Sequence, residues 1–336
     1  MATIKDVAKA AGVGISTVSY VINDSKPVKA ETREKVLNAI KQVNYQYNPL
    51  AANLKSAKNG IKTIGVVGLV DKNPYFSELF FELENACYQK GYSMLSVFCR
   101  DDDKAQKVDD IPKLLQGRVD GLIVVSTSGQ QAKHFLEMNQ AIPSVVISSE
   151  LPRYLTYNSN QFELNLNDYS GGYLAGSYLC GKGHRTFACI TGPLQRNITE
   201  QRLSGFRDAI SDKGNGMFSV EVIESNYTFQ GGYDALNQIY TMPNRPTAVF
   251  CLNDICAIGA INAAHSLKLS IPDDIAIMGY DNIDASTLIY PSVTTIEAPR
   301  TSLATQAVTG VVNLINKNQD DIIIEVKPTL KVRQSA

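Results

Sequence analysis

The sequence predicts a small all-α head followed by an α/β body of two doubly wound parallel-sheet lobes. Two observations lead to this architecture. Roughly the first 45 residues carry apolar side chains at helical spacing, whereas from Thr63 onward buried-type strands alternate with amphipathic helices. That alternation restarts after residue 160, which indicates a second lobe of the same kind as the first.

The head is predicted from residues 4–23, which form two short helices around a turn. Thr3 can cap the first helix, and Gly12 ends it because glycine accepts the left-handed backbone position found there. The second helix is expected from about Ile15 to Ile22, with Ile15, Ser16, Ser19 and Tyr20 facing outward. A glycine-containing turn between two helices is typical of a helix-turn-helix, whose second helix enters the DNA major groove. The same pattern also occurs as a helical hairpin in other domains.

A third helix is expected over residues 30–44, and it completes a three-helix unit. Its predicted apolar face carries Val36, Leu37, Ile40 and Val43. The segment after it, residues 48–55, begins with the helix-starting pair Asn48-Pro49 and predicts one more short helix. A helix of that length is unstable alone and needs a partner.

The body is predicted element by element from apolar runs and helical periodicity. Strands are expected at 64–70, 92–99, 119–126, 144–148, 186–191, 220–224, 248–252, 275–280, 322–325 and 329–332, and helices at 75–90, 104–116, 134–140, 170–179, 199–211, 231–240, 254–267 and 301–316. In such sheets ligands bind beyond the carboxyl ends of the strands. The polar and aromatic residues expected there are Tyr75, Phe76, Ser148, Arg196, Arg202, Tyr227, Asn253, Asp254 and Asp281. Any one of them alone is equally well explained as a loop residue or a helix cap.

Charge is distributed unevenly along the chain. Residues 1–60 carry nine Lys and Arg against four Asp and Glu, whereas the remainder carries 23 against 29. A basic head on an acidic body suits a protein that binds nucleic acid through the head alone.

The motifs ATIKDVAKAAGV, STVSYVIN, NPLAANLK, DGLIVVS, ITGPLQRN, RPTAVFCLND and IPDDIAIMGYDN occur in the order and spacing of one protein family. The chain closely resembles the LacI/GalR family of bacterial transcription regulators over essentially its whole length, and especially its purine- and ribose-repressor branch. The resemblance implies a head at 1–47, a hinge helix and linker at 48–62, and a periplasmic-binding-protein-like body at 63–336. The first lobe would comprise about 63–162 and 294–321, and the second about 163–293 and 322–336.

The resemblance also implies a homodimer, formed through the body, that binds a near-palindromic double-stranded DNA operator. Leu54 of each hinge would wedge between the central base pairs. The implied DNA-binding residues are Thr3, Ile4, Ile15, Ser16, Thr17, Ser19, Tyr20, Asn23, Lys26, Leu54 and Lys55. The implied effector contacts are Tyr75, Phe76, Ser148, Arg196, Ile198, Arg202, Tyr227, Asn253 and Asp281.

Two departures from the family pattern bear on the effector. Purine-type members have threonine where this chain has Ile198 and glycine where it has Asn253, and asparagine is typical of sugar-binding members. A sugar or sugar derivative is therefore favoured, with a purine-type corepressor as the alternative. Ser148 weakens the sugar interpretation, because sugar-binding members usually have an acidic residue there. The sign of the response stays open, since purine ligands promote DNA binding in the family whereas sugars usually release it.

Competing classes have little support in the sequence. The chain has three histidines and no G-x-S-x-G, P-loop or HExxH motif, so an enzyme is not expected. Its six cysteines show no metal-binding spacing, and we expect reduced, buried thiols and no cofactor. A periplasmic solute-binding protein is a second alternative, but no signal peptide or membrane segment is apparent, which favours a cytoplasmic protein.

Overall fold

The structure is a computed structural model in which the chain separates into two compact units, Met1–Ile61 and Lys62–Ala336. The residues that it describes are 4–23, 26–43, 62–70, 72–100, 110–112, 114–115, 117–127, 129–148, 159–214, 216–318 and 325–336.

The described residues of the first unit form three helices packed on a small apolar core. They are α1 (Ile4–Ala11), α2 (Ile15–Asn23) and α3 (Ala30–Gln42). Val7, Val18 and Val36, one from each helix, are fully buried at its centre. Gly12 has φ +64°, the left-handed conformation expected at the turn between α1 and α2.

The expectation that Leu37 belongs to the apolar face of α3 is wrong, since it is 47% exposed. Ala39, at 3% exposure, faces the core together with Val36. The core-facing positions 36, 39, 40 and 43, of which 40 and 43 are partly buried, follow the i, i+3, i+4, i+7 pattern, and Leu37 lies about 100° around the helix from Val36.

The second unit contains two six-stranded sheets. The first has the order β11-β5-β4-β3-β1-β2, with β1 Thr63–Val70, β2 Ser93–Arg100, β3 Gly121–Ser126, β4 Ser144–Ile147, β5 Gln161–Leu166 and β11 Glu325–Val326. All of its pairs are parallel. The helices associated with this lobe are α4 Pro74–Gln89, α5 Gly129–Met138 and α11 Arg300–Asn316.

The second sheet has the order β12-β10-β9-β8-β6-β7, and its strands are β6 Phe187–Thr191, β7 Val220–Glu224, β8 Ala248–Cys251, β9 Ala276–Asp281, β10 Thr294–Glu297 and β12 Thr329–Lys331. Only β12 is antiparallel to its neighbour. The helices of this lobe are α6 Asp168–Gly181, α7 Asn197–Gly214, α8 Phe229–Tyr240, α9 Asp254–Ser266 and α10 Ala285–Leu288. A helical unit followed along the chain by two doubly wound lobes is the predicted fold class.

The chain crosses between the two sheets three times. The crossings follow β5, β10 and β11, a few residues beyond the expected positions at 163, 294 and 322. The shift arises from β5 and β10, which carry polar residues and are not predicted as strands. Thr294 and Thr295 of β10 are fully buried nonetheless, because their hydroxyls hydrogen-bond inside the second lobe.

Three further differences concern single elements. Helix α5 begins at Gly129, before the expected start at 134, and α10 is not predicted. Most of the helix expected at 104–116 and of the strand expected at 322–325 lies outside the described residues. All six cysteines are buried thiols, as expected. No helix in the described ranges has the length and hydrophobicity needed to span a bilayer.

Candidate functional site

A cavity lies in the second unit between the carboxyl ends of the two sheets. It has about 720 Å³ of free space, part of which opens to solvent, a size suited to a small ligand. All nine residues implied as effector contacts line it: Tyr75, Phe76, Ser148, Arg196, Ile198, Arg202, Tyr227, Asn253 and Asp281. Asp254 does not line it; this carboxylate is fully buried beneath, where it accepts hydrogen bonds from the Thr295 hydroxyl and the Ile283 amide.

The second lobe contributes a buried charged group centred on Arg202, at the first turns of α7. Its Nε donates to Asp168 Oδ1 at 2.7 Å, and its Nη1 donates to the Leu252 carbonyl at 2.6 Å. Asp281 Oδ1 lies 3.5 Å from the same Nη1, and the Tyr280 ring lies 3.5 Å below the guanidinium carbon. These contacts fix the guanidinium in one plane, so its position in the cavity does not depend on a ligand.

Tyr227 provides an aromatic wall of the cavity. Its ring lies so close to Gly192 that a β-carbon there would overlap it, and its hydroxyl is 2.6 Å from the Thr199 hydroxyl. Burial raises the pKa of Tyr227 to about 12, so the phenol stays protonated and keeps its hydrogen atom for bonding. The Arg196 guanidinium lies 5.6 Å from the centre of the ring.

Asn253 has both amide atoms engaged within the protein. Its Oδ1 accepts from the Cys256 amide and caps α9, and its Nδ2 donates to the Tyr227 carbonyl at 3.0 Å. This residue therefore holds the loop that carries Tyr227, and it is only 1% exposed. Its position at the cavity has a structural explanation that needs no ligand.

The first lobe contributes Tyr75 and Phe76, whose rings make an edge-to-face contact with centroids 5.5 Å apart at the start of α4. Asn73, the N-cap of this helix, donates from Nδ2 to Asp281 Oδ2 across the cavity at 2.8 Å. Arg196 Nη2 donates to the Thr127 carbonyl, also at 2.8 Å. These two hydrogen bonds join the lobes at the cavity.

Sequence reasoning missed several residues of the cavity. Asn73 stands between a predicted strand and a predicted helix, the kind of position that identifies the others. Asp168 follows β5, which is not predicted as a strand, so its position gives no such signal. Ser126 and Thr127 are polar residues at the end of β3 that the sequence analysis does not select. The remaining members are apolar and give no polar signal: Leu79, Val125, Ile147, Leu166 and Leu303.

In the first unit, α2 presents the side chains expected to contact DNA. Ile15 is 46% exposed, Ser16 is exposed, and Thr17, Ser19 and Tyr20 are half-buried. The Lys26 ammonium lies 5.0 Å from the centre of the Tyr20 ring, within cation–π range. Ile4 begins α1, and Asn23 ends α2. Thr3, Leu54 and Lys55 lie outside the described residues.

Comparisons with known proteins agree with both units. Residues 3–48 match the family of bacterial regulatory proteins of the lacI type, and residues 177–336 match a periplasmic binding protein-like domain. The HTH-type transcriptional repressor PurR of Histophilus somni is 37% identical over 100% of this chain and 99% of its own length. That of Photorhabdus laumondii is 40% identical, over 100% and 97%.

Solved structures that resemble this chain also belong to lacI-type regulators. The lac repressor dimer bound to operator and an anti-inducer has a TM-score of 0.79 at 25% identity, over 99% of this chain and 98% of that one. A LacI-family regulator from Enterococcus faecium with bound ribose has a TM-score of 0.68 at 26% identity, over 82% and 98%. The chain therefore belongs to the LacI family of DNA-binding transcriptional repressors and is not an enzyme.

Proposed function

We propose that this repressor binds its operator as a homodimer in the cytoplasm, and that a purine-type corepressor in the cavity controls its operator affinity. This replaces the sugar favoured by the sequence. The observation that supports the change is the engagement of Asn253: the residue taken as a sugar contact is committed to the α9 cap and the Tyr227 loop. The similar repressors named PurR, at 37% and 40% identity, support the same conclusion.

The aromatic residues of the cavity suit a flat ring. Tyr75 and Phe76 approach from the first lobe and Tyr227 from the second, and none of the three is an exposed residue. A planar heteroaromatic ligand can stack against such faces over its whole area. A sugar ring presents hydroxyls around its rim, and satisfying them needs several polar partners at once.

The polar groups suit the edge of a base. Arg202 and Arg196 are donors, and the Asp281 carboxylate is an acceptor. A purine base with a carbonyl group offers acceptors at its ring nitrogen and exocyclic oxygen and donors at its N–H groups, so both kinds of protein group find a partner.

One observation keeps a sugar as the second candidate. Ile198 lines the cavity with an apolar side chain where purine-type members have a threonine hydroxyl. The ribose-bound Enterococcus faecium regulator is an example of a similar protein with a sugar ligand.

Exposed apolar residues on both lobes support the dimer. On α4, Phe81 and Tyr88 are seven residues apart and so share a face, with 66% and 78% of their surfaces exposed. In the second lobe Leu288 and Tyr290 are 83% and 79% exposed. Large apolar side chains left open in this way favour association. A dimer places two α2 helices on successive turns of one DNA face, which suits a near-palindromic operator.

The test uses the full chain and operator DNA selected from random sequence. Thermal shift is measured with guanine, hypoxanthine, adenine and ribose, because a ligand that binds only the native state raises the melting temperature. Operator binding is then measured by fluorescence anisotropy with each ligand. We expect a keto purine to raise the melting temperature and to tighten operator binding about 5–150-fold. Stabilisation by ribose alone, or release from DNA by the purine, would contradict the proposal.

A further inference from the structure

The backbone at the end of β9 adopts an unfavourable conformation next to the cavity. Asp281 has φ 107° and its neighbour Asn282 has φ 56°. Two consecutive residues with a β-carbon in the left-handed half of conformational space persist only where surrounding contacts hold them. Asp281 lines the cavity, so whatever holds this backbone also sets the position of its carboxylate.

Arg300, the first residue of α11, contacts this backbone directly from the first lobe, whereas Glu297 and Arg333 of the second lobe contact the Asn282 side chain. Arg300 Nη1 donates to the carbonyl of Asp281 at 3.2 Å and to that of Asn282 at 2.9 Å. Helix α11 packs on α4 and on strands β3 and β4, so this guanidinium belongs to the first lobe although the carbonyls belong to the second.

Glu78 of α4 completes the contact. Its Oε2 lies 3.0 Å from Arg300 Nη1, and its Oε1 accepts the Asp284 amide at 3.0 Å. The side chains of Arg300 and Glu78 are only 16% and 20% exposed, so water replaces these bonds poorly. The Asp284 carboxylate, 3.8 Å from Arg300 and 84% exposed, adds little. Arg300 and Glu78 of the first lobe therefore contact residues 281–284 of the second at four points: the Asp281 and Asn282 carbonyls and the Asp284 amide and carboxylate.

We propose that Arg300 is a positioning residue for the effector: with Glu78 it holds the left-handed backbone of Asp281 and Asn282, and thereby presents the Asp281 carboxylate to the ligand. The inference rests on the cavity being the effector site. Arg300 does not itself line the cavity, so it acts through Asp281. Because it joins the lobes, the same contact makes the geometry of the effector site depend on the lobe arrangement.

Arg300→Lys is the decisive variant. A single ammonium keeps the charge beside Glu78 but lacks the planar fork that spans two carbonyls. Two measurements are made on the full-length protein. Hydrogen–deuterium exchange of the peptide containing residues 281–284 is recorded without ligand, and guanine or hypoxanthine binding is measured by calorimetry in wild type, Arg300→Lys, Asp281→Asn and the double variant.

Arg185→Ala is the matched control. Arg185 also donates to a backbone carbonyl, that of His184, at 2.8 Å and lies 5.1 Å from the centre of the Phe218 ring, but it does not line the cavity. It should leave both measurements unchanged.

We expect Arg300→Lys to speed hydrogen–deuterium exchange at residues 281–284 and to weaken purine binding on the order of tenfold. In the Asp281→Asn background the substitution should weaken binding little further, because both changes act on one contact. The inference would be overturned if Arg300→Lys left hydrogen–deuterium exchange at residues 281–284 unchanged. It would also be overturned if the losses of purine affinity in the two single variants added up in the double variant. If wild type binds no purine, the proposed function fails, and the ligand-free exchange measurement alone decides whether Arg300 holds this backbone.

Discussion

Arg202 and Asp168 form an ion pair inside the second lobe, with Nε and Oδ1 2.7 Å apart and side-chain exposures of 6% and 1%. The pair has a consequence for experiments on the effector site. Removing Arg202 takes a guanidinium away from two buried carboxylates, those of Asp168 and Asp281. A loss of effector response in an Arg202 variant would therefore mix ligand contact with folding.

The first prediction concerns stability. Arg202→Ala should lower the free energy of unfolding by about 3–5 kcal/mol, the usual effect of breaking a buried pair on one side. Urea unfolding of the full chain measures it. Arg202→Met combined with Asp168→Asn should lose less, because the Asp168 charge is removed together with its partner and only the Asp281 carboxylate remains. A loss below about 1 kcal/mol in Arg202→Ala would show that solvent reaches the pair.

The second prediction isolates the effector contact. Asp281→Asn keeps the size of the side chain and one oxygen for Asn73, but it removes the charge facing the ligand. We expect effector binding to weaken about 10–150-fold, corresponding to about 1.5–3 kcal/mol for a hydrogen bond to a charged group. Calorimetry measures this, and the melting temperature without ligand checks the fold. Wild-type affinity in this variant would remove Asp281 from the effector contacts.

How far the sequence predicts this site depends on the kind of signal each residue gives. Asp281 and Tyr227 were found because polar and aromatic residues at strand ends are few and identifiable. The interlobe bonds of Asn73 and Arg300 were not, since they depend on how two separately folded sheets meet. Asn253 lines the cavity as expected, but the sequence does not indicate that its amide also caps α9 and holds the Tyr227 loop.

Prediction of the fold from the sequence is limited in the same way, because some elements depend on tertiary contacts. Strands with continuous apolar sequence, such as β1 and β8, were predicted to within a few residues. Strands β5 and β10 escape prediction because their polar side chains find partners only within the folded lobes, as Gln161 does with the Leu136 carbonyl and Thr295 with Asp254. Leu37 was assigned to a core that Ala39 fills, since hydrophobicity alone does not distinguish neighbouring positions on a short helix.

The third prediction tests the dimer. Tyr88→Asp or Leu288→Asp should place a charge in the proposed contact and shift the protein toward monomer, seen by sedimentation at micromolar concentration. The melting temperature should fall only by the amount that association contributes, because the substituted side chains are exposed in the monomer. Met217→Asp is the matched control, since Met217 is also exposed, at 79%. An equal effect from Met217→Asp, or none from the other two, would argue against this interface.

The fourth prediction concerns acid stability. Burial raises the pKa of Glu297, but hydrogen bonds from Lys331, Thr329 and Asn282 outweigh that effect and lower it overall. A carboxylate with a lowered folded pKa stabilises the protein above its unfolded pKa, about 4.3, and the stabilisation is lost as pH falls below that value. Glu297→Gln should therefore destabilise at pH 7 by about 0.5–1.5 kcal/mol and flatten the decline below about pH 4.5. An unchanged acid profile would rule out this contribution.

The last prediction concerns DNA sequence recognition by α2. Ile15 is 46% exposed and can make only apolar contacts, for which the thymine methyl is the available target in the major groove. The Tyr20 ring lies 5.0 Å from the Lys26 ammonium, so its face is turned toward a cation and guanine recognition should be weak. We expect selection from random DNA to return a half-site with thymine near Ile15 and little guanine preference opposite Tyr20. Each mismatched base pair at a contacted position should reduce the binding free energy by about 1–3 kcal/mol.

Replacing the thymine near Ile15 by uracil removes only the methyl and should weaken binding, whereas Ile15→Ala should abolish the difference between the two bases. Equal binding of uracil and thymine at every half-site position would show that Ile15 makes no methyl contact.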